Sequence, residues 1–187
     1  MLLSGARVRT HPNKPRIRQV IDLQPFIAPK RKALPFEMRI AIGSDHRGVQ
    51  IKSKLVANLQ SAGHDVCDVG AYADQSVDYP DFAKLVCDRL LKCESDRGIL
   101  ICGTGIGMTI TANKFPGIRA ANCIDEVMAE MCRRHNDVNV LCLPGDLIGN
   151  RPIDDLIRIW LTTEFEGGRH QRRVSKIADI EHNQKSQ

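Results

Sequence analysis

Five short apolar runs are each followed by a stretch of helical periodicity: residues 39–43 (RIAIG), 65–70 (DVCDVG), 99–101 leading into Cys102, 118–123 (IRAANC) and 137–143 (DVNVLCL). That alternation leaves little choice of fold. Apolar spacing predicts helices over residues 49–62, 81–93, 108–114, 125–135 and 151–163, and a last one over 169–182 after Gly167 and Gly168. Strands joined through helices pair in parallel, and right-handed crossovers then place helices on both faces. The expected fold is α/β, a doubly wound (Rossmann-like) five-stranded parallel sheet flanked by helices, with a C-terminal helix. Ligands of such sheets bind beyond the carboxyl ends of the strands.

That rule selects SDHRG after the first strand, the loop holding Asp78 and Tyr79 after the second, and CGTGIG after the third. In the last of these, Cys102 stands where a strand hands over to three alternating glycines, Gly103, Gly105 and Gly107, and then to a helix. Amide groups in such a loop and in a first helical turn lack partners of their own and attract anions. The same field favours a thiolate. A free cysteine is ordinarily apolar filler, which is the expectation for the other six; strand end, helix start and anion loop coincide only at Cys102.

Asp45 and His46 leave the end of the first strand as an adjacent acid and base, residue types that a plain surface turn also uses. His135 and Asn136 end the fourth helix, where a helix cap is the ordinary explanation and an imidazolium is favoured. This position is at the amino end of the fifth strand, opposite Cys102, so a catalytic His135 has to come from a partner chain. Arg169 and Arg173 lie four apart on the last helix; a solvated face explains them, and so does a grip on a phosphate dianion.

Composition narrows the setting. The chain of 187 residues carries a formal charge of +5. Residues 1–37 alone hold eight Lys/Arg against Asp22 and Glu37, so the rest is near −1 and offers no basic face for nucleic acid. With five prolines and no periodicity, residues 1–37 are expected to be a disordered basic extension ahead of a single domain over 38–187. It shares with transit peptides only a lack of acids before Asp22, and Met38 is a candidate start of translation. No run approaches the ~18 apolar residues of a membrane span. Seven cysteines without a C-x-x-C pair suggest free thiols in a reducing cytoplasm and no zinc site.

Three chemistries suit a thiolate beside an anion loop. A cysteine phosphatase needs an arginine six positions on, where this chain has Met108. A dinucleotide site would place Asp125 on a ribose, but the glycines do not follow G-x-G-x-x-G. Proton abstraction next to a carbonyl uses every part: thiolate as base, loop amides for the enediolate oxygen, arginines for a remote phosphate.

The segments GSDHRG, DYPDFA, GILICGTGIGMTITANK, GIRAA, RRHNDVNVLCL and FEGGRHQRRV, spread from Met38 to His182, together resemble B-type ribose-5-phosphate isomerases, of the family that also holds galactose-6-phosphate isomerase subunits. The resemblance implies a cofactor-free, metal-free conversion of ribose 5-phosphate to ribulose 5-phosphate through a cis-enediol, in the pentose phosphate pathway. It makes Cys102 the base, with Gly103, Thr104, Gly105, Ile106 and Gly107 cradling the enediolate. His135 becomes the acid that opens the furanose ring, assisted by Asp45; Asn136 and Tyr79 become sugar contacts; His46, Arg169 and Arg173 become the phosphate grip. It also implies homodimers with shared sites, or tetramers built from them. The histidine of HND favours the pentose. Against it, the family's G-[AS]-R turn reads Pro144-Gly145-Asp146 here, which puts an acid where a cation is expected on the substrate side. The alternatives are a hexose 6-phosphate isomerase (allose or galactose 6-phosphate) and a non-catalytic nucleotide or sugar-phosphate binding module.

Overall fold

The computed structural model describes residues 37–148 and 153–184. All of the expected N-terminal extension except Glu37 lies outside the described residues, as do residues 151 and 152 of the expected fifth helix. The elements in order are β1 (Arg39–Ser44), α1 (Val49–Ser61), β2 (Asp65–Asp68), α2 (Tyr79–Leu91), β3 (Arg97–Cys102), α3 (Ile106–Ala112), β4 (Ala120–Asn122), α4 (Glu126–Asn136), β5 (Val140–Pro144), α5 (Ile153–Thr162) and α6 (Arg169–Gln184). The five strands form one sheet in the order β2-β1-β3-β5-β4, and every pairing is parallel.

The steps from β1 to β2 and from β4 to β5 run one way across the sheet, and those from β2 to β3 and β3 to β4 run the other way. Right-handed crossovers therefore put α1 and α4 on one face and α2 and α3 on the other. The two core clusters match this. Ile40, Ile42, Ile99, Ile101, Leu141 and Leu143 pack on Leu55, Leu59 and Trp160 of α1 and α5. Ala41, Leu100, Cys102, Val140 and Cys142 pack on Val86 and Cys87 of α2 and Met108 and Ala112 of α3. Strand alternation thus aims Cys102 at the α2–α3 side.

Several boundaries differ from the sequence reading, each for a local reason. β2 stops at Asp68, because Gly70 turns the chain with φ +100°. α2 begins at Tyr79, with Pro80 in its first turn, and ends before Cys93, which is left-handed (φ +56°). Its buried face is the small set Ala83, Val86 and Cys87, and Leu85 and Leu91 are exposed. α3 begins at Ile106, two residues early, because left-handed Gly105 (φ +73°) is its N-cap. β4 keeps only three residues at the sheet edge, and Asp137, left-handed at the end of α4, delays β5 to Val140.

Lys52 of α1 is 1% exposed, and its Nζ donates to both carboxylate oxygens of Asp68 at 2.5 Å. It also lies 4.7 Å from the centre of the Tyr72 ring. Breaking such a pair strands a charge, whereas an apolar replacement of the buried member need not. Asp68→Ala is expected to lower unfolding free energy by about 2–3 kcal/mol, and Lys52→Met by ~1 kcal/mol or less, in urea melts. Equal losses would show that the pair acts through packing alone.

Candidate active site

β1 and β3 are neighbours, and their following helices leave on opposite faces, so the chain opens a crevice between their carboxyl ends. Cys102 ends β3 at the floor of that crevice. It is 4% exposed, and the Gly105 amide donates to its Sγ at 3.2 Å. Thr104 and Ile106 above it are exposed. The sulfur is thus covered by its own loop.

Each glycine of the loop is pressed by a side chain from elsewhere. A Cβ on Gly103 would stand 2.6 Å from Oδ2 of Asp146, in the turn after β5. One on Gly105 would run into the carboxamide of Asn122, at the end of β4, whose Nδ2 donates to the Thr104 carbonyl at 3.0 Å. One on Gly107 would stand 2.7 Å from the ring of Tyr79, the first residue of α2. Only Gly105 also needs its left-handed backbone.

Asp45 is 5% exposed beside this loop; its amide donates to the Ile101 carbonyl at 3.0 Å and its Oδ1 accepts from the Arg47 amide at 2.9 Å. His46 Nδ1 accepts from the Val77 amide at 3.3 Å, which fastens the loop after β2 to the crevice. The fold therefore gathers Asp45, His46, Tyr79, Cys102 and residues 103–107 at one edge. It also adds Asn122 and Arg47, which the sequence reading did not assign to a site, and sets Asp146, read there as an acid on the substrate side, against Gly103.

His135, Asn136, Arg169 and Arg173 are not at this edge. α4 runs against the strands, so His135 and Asn136, its last residues, lie near the amino end of β5, as the sequence predicts. There His135 stacks on His170 of α6, with ring centres 4.1 Å apart and planes 2° from parallel. Glu166 Oε2 lies 3.9 Å from Nε2 of His135 and 3.6 Å from Nε2 of His170. Arg134 Nε donates to the other oxygen of Glu166 at 2.6 Å and holds that carboxyl below its ordinary range. Burial, then the charge of His135, pushes the His170 imidazole toward neutrality. Arg169 Nε donates to Nε2 of His170 at 3.1 Å, and Arg173 is exposed one turn on.

The donor atoms of His135, Glu166 and His170 lie within 4.8 Å of one another. Parallel rings aim their lone pairs alongside each other rather than at a common point, and Nε2 of His170 and Oε1 of Glu166 already accept from arginines. Arg134 and Arg169 thus tie the three groups into a stacked, hydrogen-bonded cluster rather than a metal cage. Glu166 and His170 were missed in the sequence because their partners are in another helix.

All seven cysteines are free. Burial pushes the Cys87 and Cys142 thiols up to about 12, which fits inert packing. No helix among the described residues is long and apolar enough to cross a membrane.

A family model described as Ribose/Galactose Isomerase matches residues 40–177. The chain is 43% identical over 143 residues to ribose-5-phosphate isomerase B of Escherichia coli, covering 76% of this chain and 96% of that protein. A putative sugar phosphate isomerase of Bacillus subtilis is 47% identical over 145 residues, with 77% and 97% covered. Among solved structures, the B-type enzyme of Clostridium thermocellum superposes with a TM-score of 0.77 at 48% identity, covering 78% and 99% of the two chains. That of Mycoplasma genitalium with bound ribulose-5-phosphate gives 0.74 at 42% identity, covering 77% and 96%.

Proposed function

Because the chain belongs to the ribose/galactose isomerase family, we propose that it interconverts ribose 5-phosphate and ribulose 5-phosphate. The observation that carries this reading is a thiol at the floor of an amide-lined loop, with an acid and an imidazole delivered from the adjacent strand. In the ring form, His135 gives a proton to the ring oxygen as the bond from C1 to that oxygen breaks, and Asp45 takes the proton of the C1 hydroxyl. The Cys102 thiolate then removes the C2 proton. Amides of residues 103–107 and the Thr104 hydroxyl hold the enediolate as charge gathers on oxygen. The hydroxyl proton passes from O2 to O1, and the thiol returns its proton to C1. C2 is oxidised and C1 reduced within one molecule, so the balance needs no cofactor.

His135 and Cys102 lie at opposite edges of one sheet, so a complete site takes its imidazole, Asn136, Arg169 and Arg173 from a second copy. The support is exposed apolar side chains on three helices: Ile106, Ile110, Val127, Met128, Ile177 and Ile180 are 41–68% exposed on α3, α4 and α6. We read the active form as a homodimer of cytoplasmic chains, whether or not two dimers associate further. Mixing a Cys102→Ala chain with a His135→Ala chain then regenerates active sites; a mixture no better than its components would exclude sharing.

Turnover of ribose 5-phosphate, allose 6-phosphate and galactose 6-phosphate, followed by NMR, tests the substrate. The pentose is expected to lead in kcat/KM by at least about tenfold, of the order one misfitted group costs. A hexose 6-phosphate is the second reading, because Asp146 stands in the turn where a cation is expected, and a hexose leading would establish it. No isomerisation, with thermal stabilisation by nucleotides, would make the protein a binding module.

A further inference from the structure

Arg47 and Asp146 meet at the rim of the crevice. Arg47 Nε donates to Asp146 Oδ2 at 2.7 Å, across 99 residues of sequence. The pair lies directly over Gly103: from the position a Cβ would take there, Asp146 Oδ2 is at 2.6 Å and Arg47 Nε at 3.3 Å. The backbone fixes both partners. The Asp146 amide donates to the Gly103 carbonyl at 2.9 Å and the Gly145 amide to the Cys102 carbonyl at 2.8 Å, while the Arg47 amide is held by Asp45.

As a stabilising device this pair has little value. The two side chains are 56% and 36% exposed, and exposed ion pairs contribute at most about 1 kcal/mol. Its position is better explained by what approaches the loop. An unpaired carboxylate beside the thiol's anion loop would repel any phosphorylated substrate. Arg47 cancels that charge, and the contact to Asp146 uses only Nε, leaving the two terminal amino groups of the guanidinium as a planar fork. His46, read above as a phosphate contact, precedes Arg47 on the same turn.

We propose that Arg47 is a substrate-binding residue that grips the phosphate of the sugar, and that Asp146 is the positioning residue that aims it. This rests on the sugar-phosphate reading above and deepens it: a cation on the β1 loop serves the rim of a site whose β5 turn carries an acid. The guanidinium remains charged throughout the neutral range, since the Asp146 hydrogen bond raises its already high pKa.

Arg47→Ala is expected to raise KM for ribose 5-phosphate about 30-fold, with kcat within about threefold, as loss of a charge-assisted interaction made in both ground and transition states. The inhibition constant of inorganic phosphate should rise in parallel. Arg47→Lys, which keeps a charge but not the fork, falls between. In the Arg47→Ala background, Asp146→Asn should recover part of the loss, because it removes a carboxylate left facing the phosphate. If KM and phosphate inhibition of Arg47→Ala stay within twofold of the parent, Arg47 holds no phosphate; if the effects of Arg47→Ala and of Asp146→Asn, each made in the parent, simply add in the double variant, Asp146 does not act through Arg47. A parent chain inert toward ribose 5-phosphate would refute the reaction instead. Direct calorimetric titration of the parent and Arg47→Ala with inorganic phosphate would still decide the role of Arg47.

Discussion

Cys102→Ala is expected to lower kcat for ribose 5-phosphate by roughly 10³–10⁴-fold, the range a positioned general base contributes. The same loss should appear in deuterium exchange at C1 of ribulose 5-phosphate in heavy water, since that exchange passes through the enediolate. Cys102→Ser is the closer probe: it keeps nearly the same shape under the Gly105 amide, but its hydroxyl is far too weak an acid to supply an anion at neutral pH. The two variants should therefore be similarly inactive. Melting temperature should move by only a few degrees, because one small buried atom is lost or exchanged. A serine variant within tenfold of the parent would assign proton transfer to another group, with Asp45, buried beside the loop, as the candidate.

His135→Ala should separate two steps that Cys102 variants cannot. Ribose 5-phosphate is mostly a closed furanose, whereas ribulose 5-phosphate cannot close one, because its O5 carries the phosphate. Loss of the ring-opening acid is thus expected to cut turnover of ribose 5-phosphate by about 10²-fold or more, while C1 deuterium exchange of ribulose 5-phosphate stays within a few fold. Glu166→Gln should show a weaker version of the same split, since Glu166 borders both stacked imidazoles and is fastened to Arg134. Equal losses in both assays would mean that His135 serves binding or folding instead of ring opening.

The fold was legible because its determinants are local. Each strand is a short apolar run closed by a turn residue, and the glycine loop with its cysteine is one contiguous stretch. Boundaries slipped where a single left-handed residue decided them, as at Gly105 and Asp137. On α2 the helical period alone does not choose the face: the small Ala83, Val86 and Cys87 meet the sheet, and Leu85 and Leu91 are left outside. The half of the site carrying Asp45, His46 and Cys102 could be read from strand ends. Asn122, the Arg47–Asp146 pair, and Glu166 with His170 could not, since each acts through a partner tens of residues away or in another helix. Lys52 is one of several polar residues of α1 in the sequence, and only the docking of β2 supplies its carboxylate.

The crowding of the glycine loop has a practical consequence for redesign. With Asp146, Asn122 and Tyr79 each leaning on one glycine, alanine scanning of residues 103, 105 and 107 reports collisions instead of chemistry. Altered sugar preference is better sought in libraries at those three leaning positions, which can be trimmed or exchanged while the thiol and its amides keep their register.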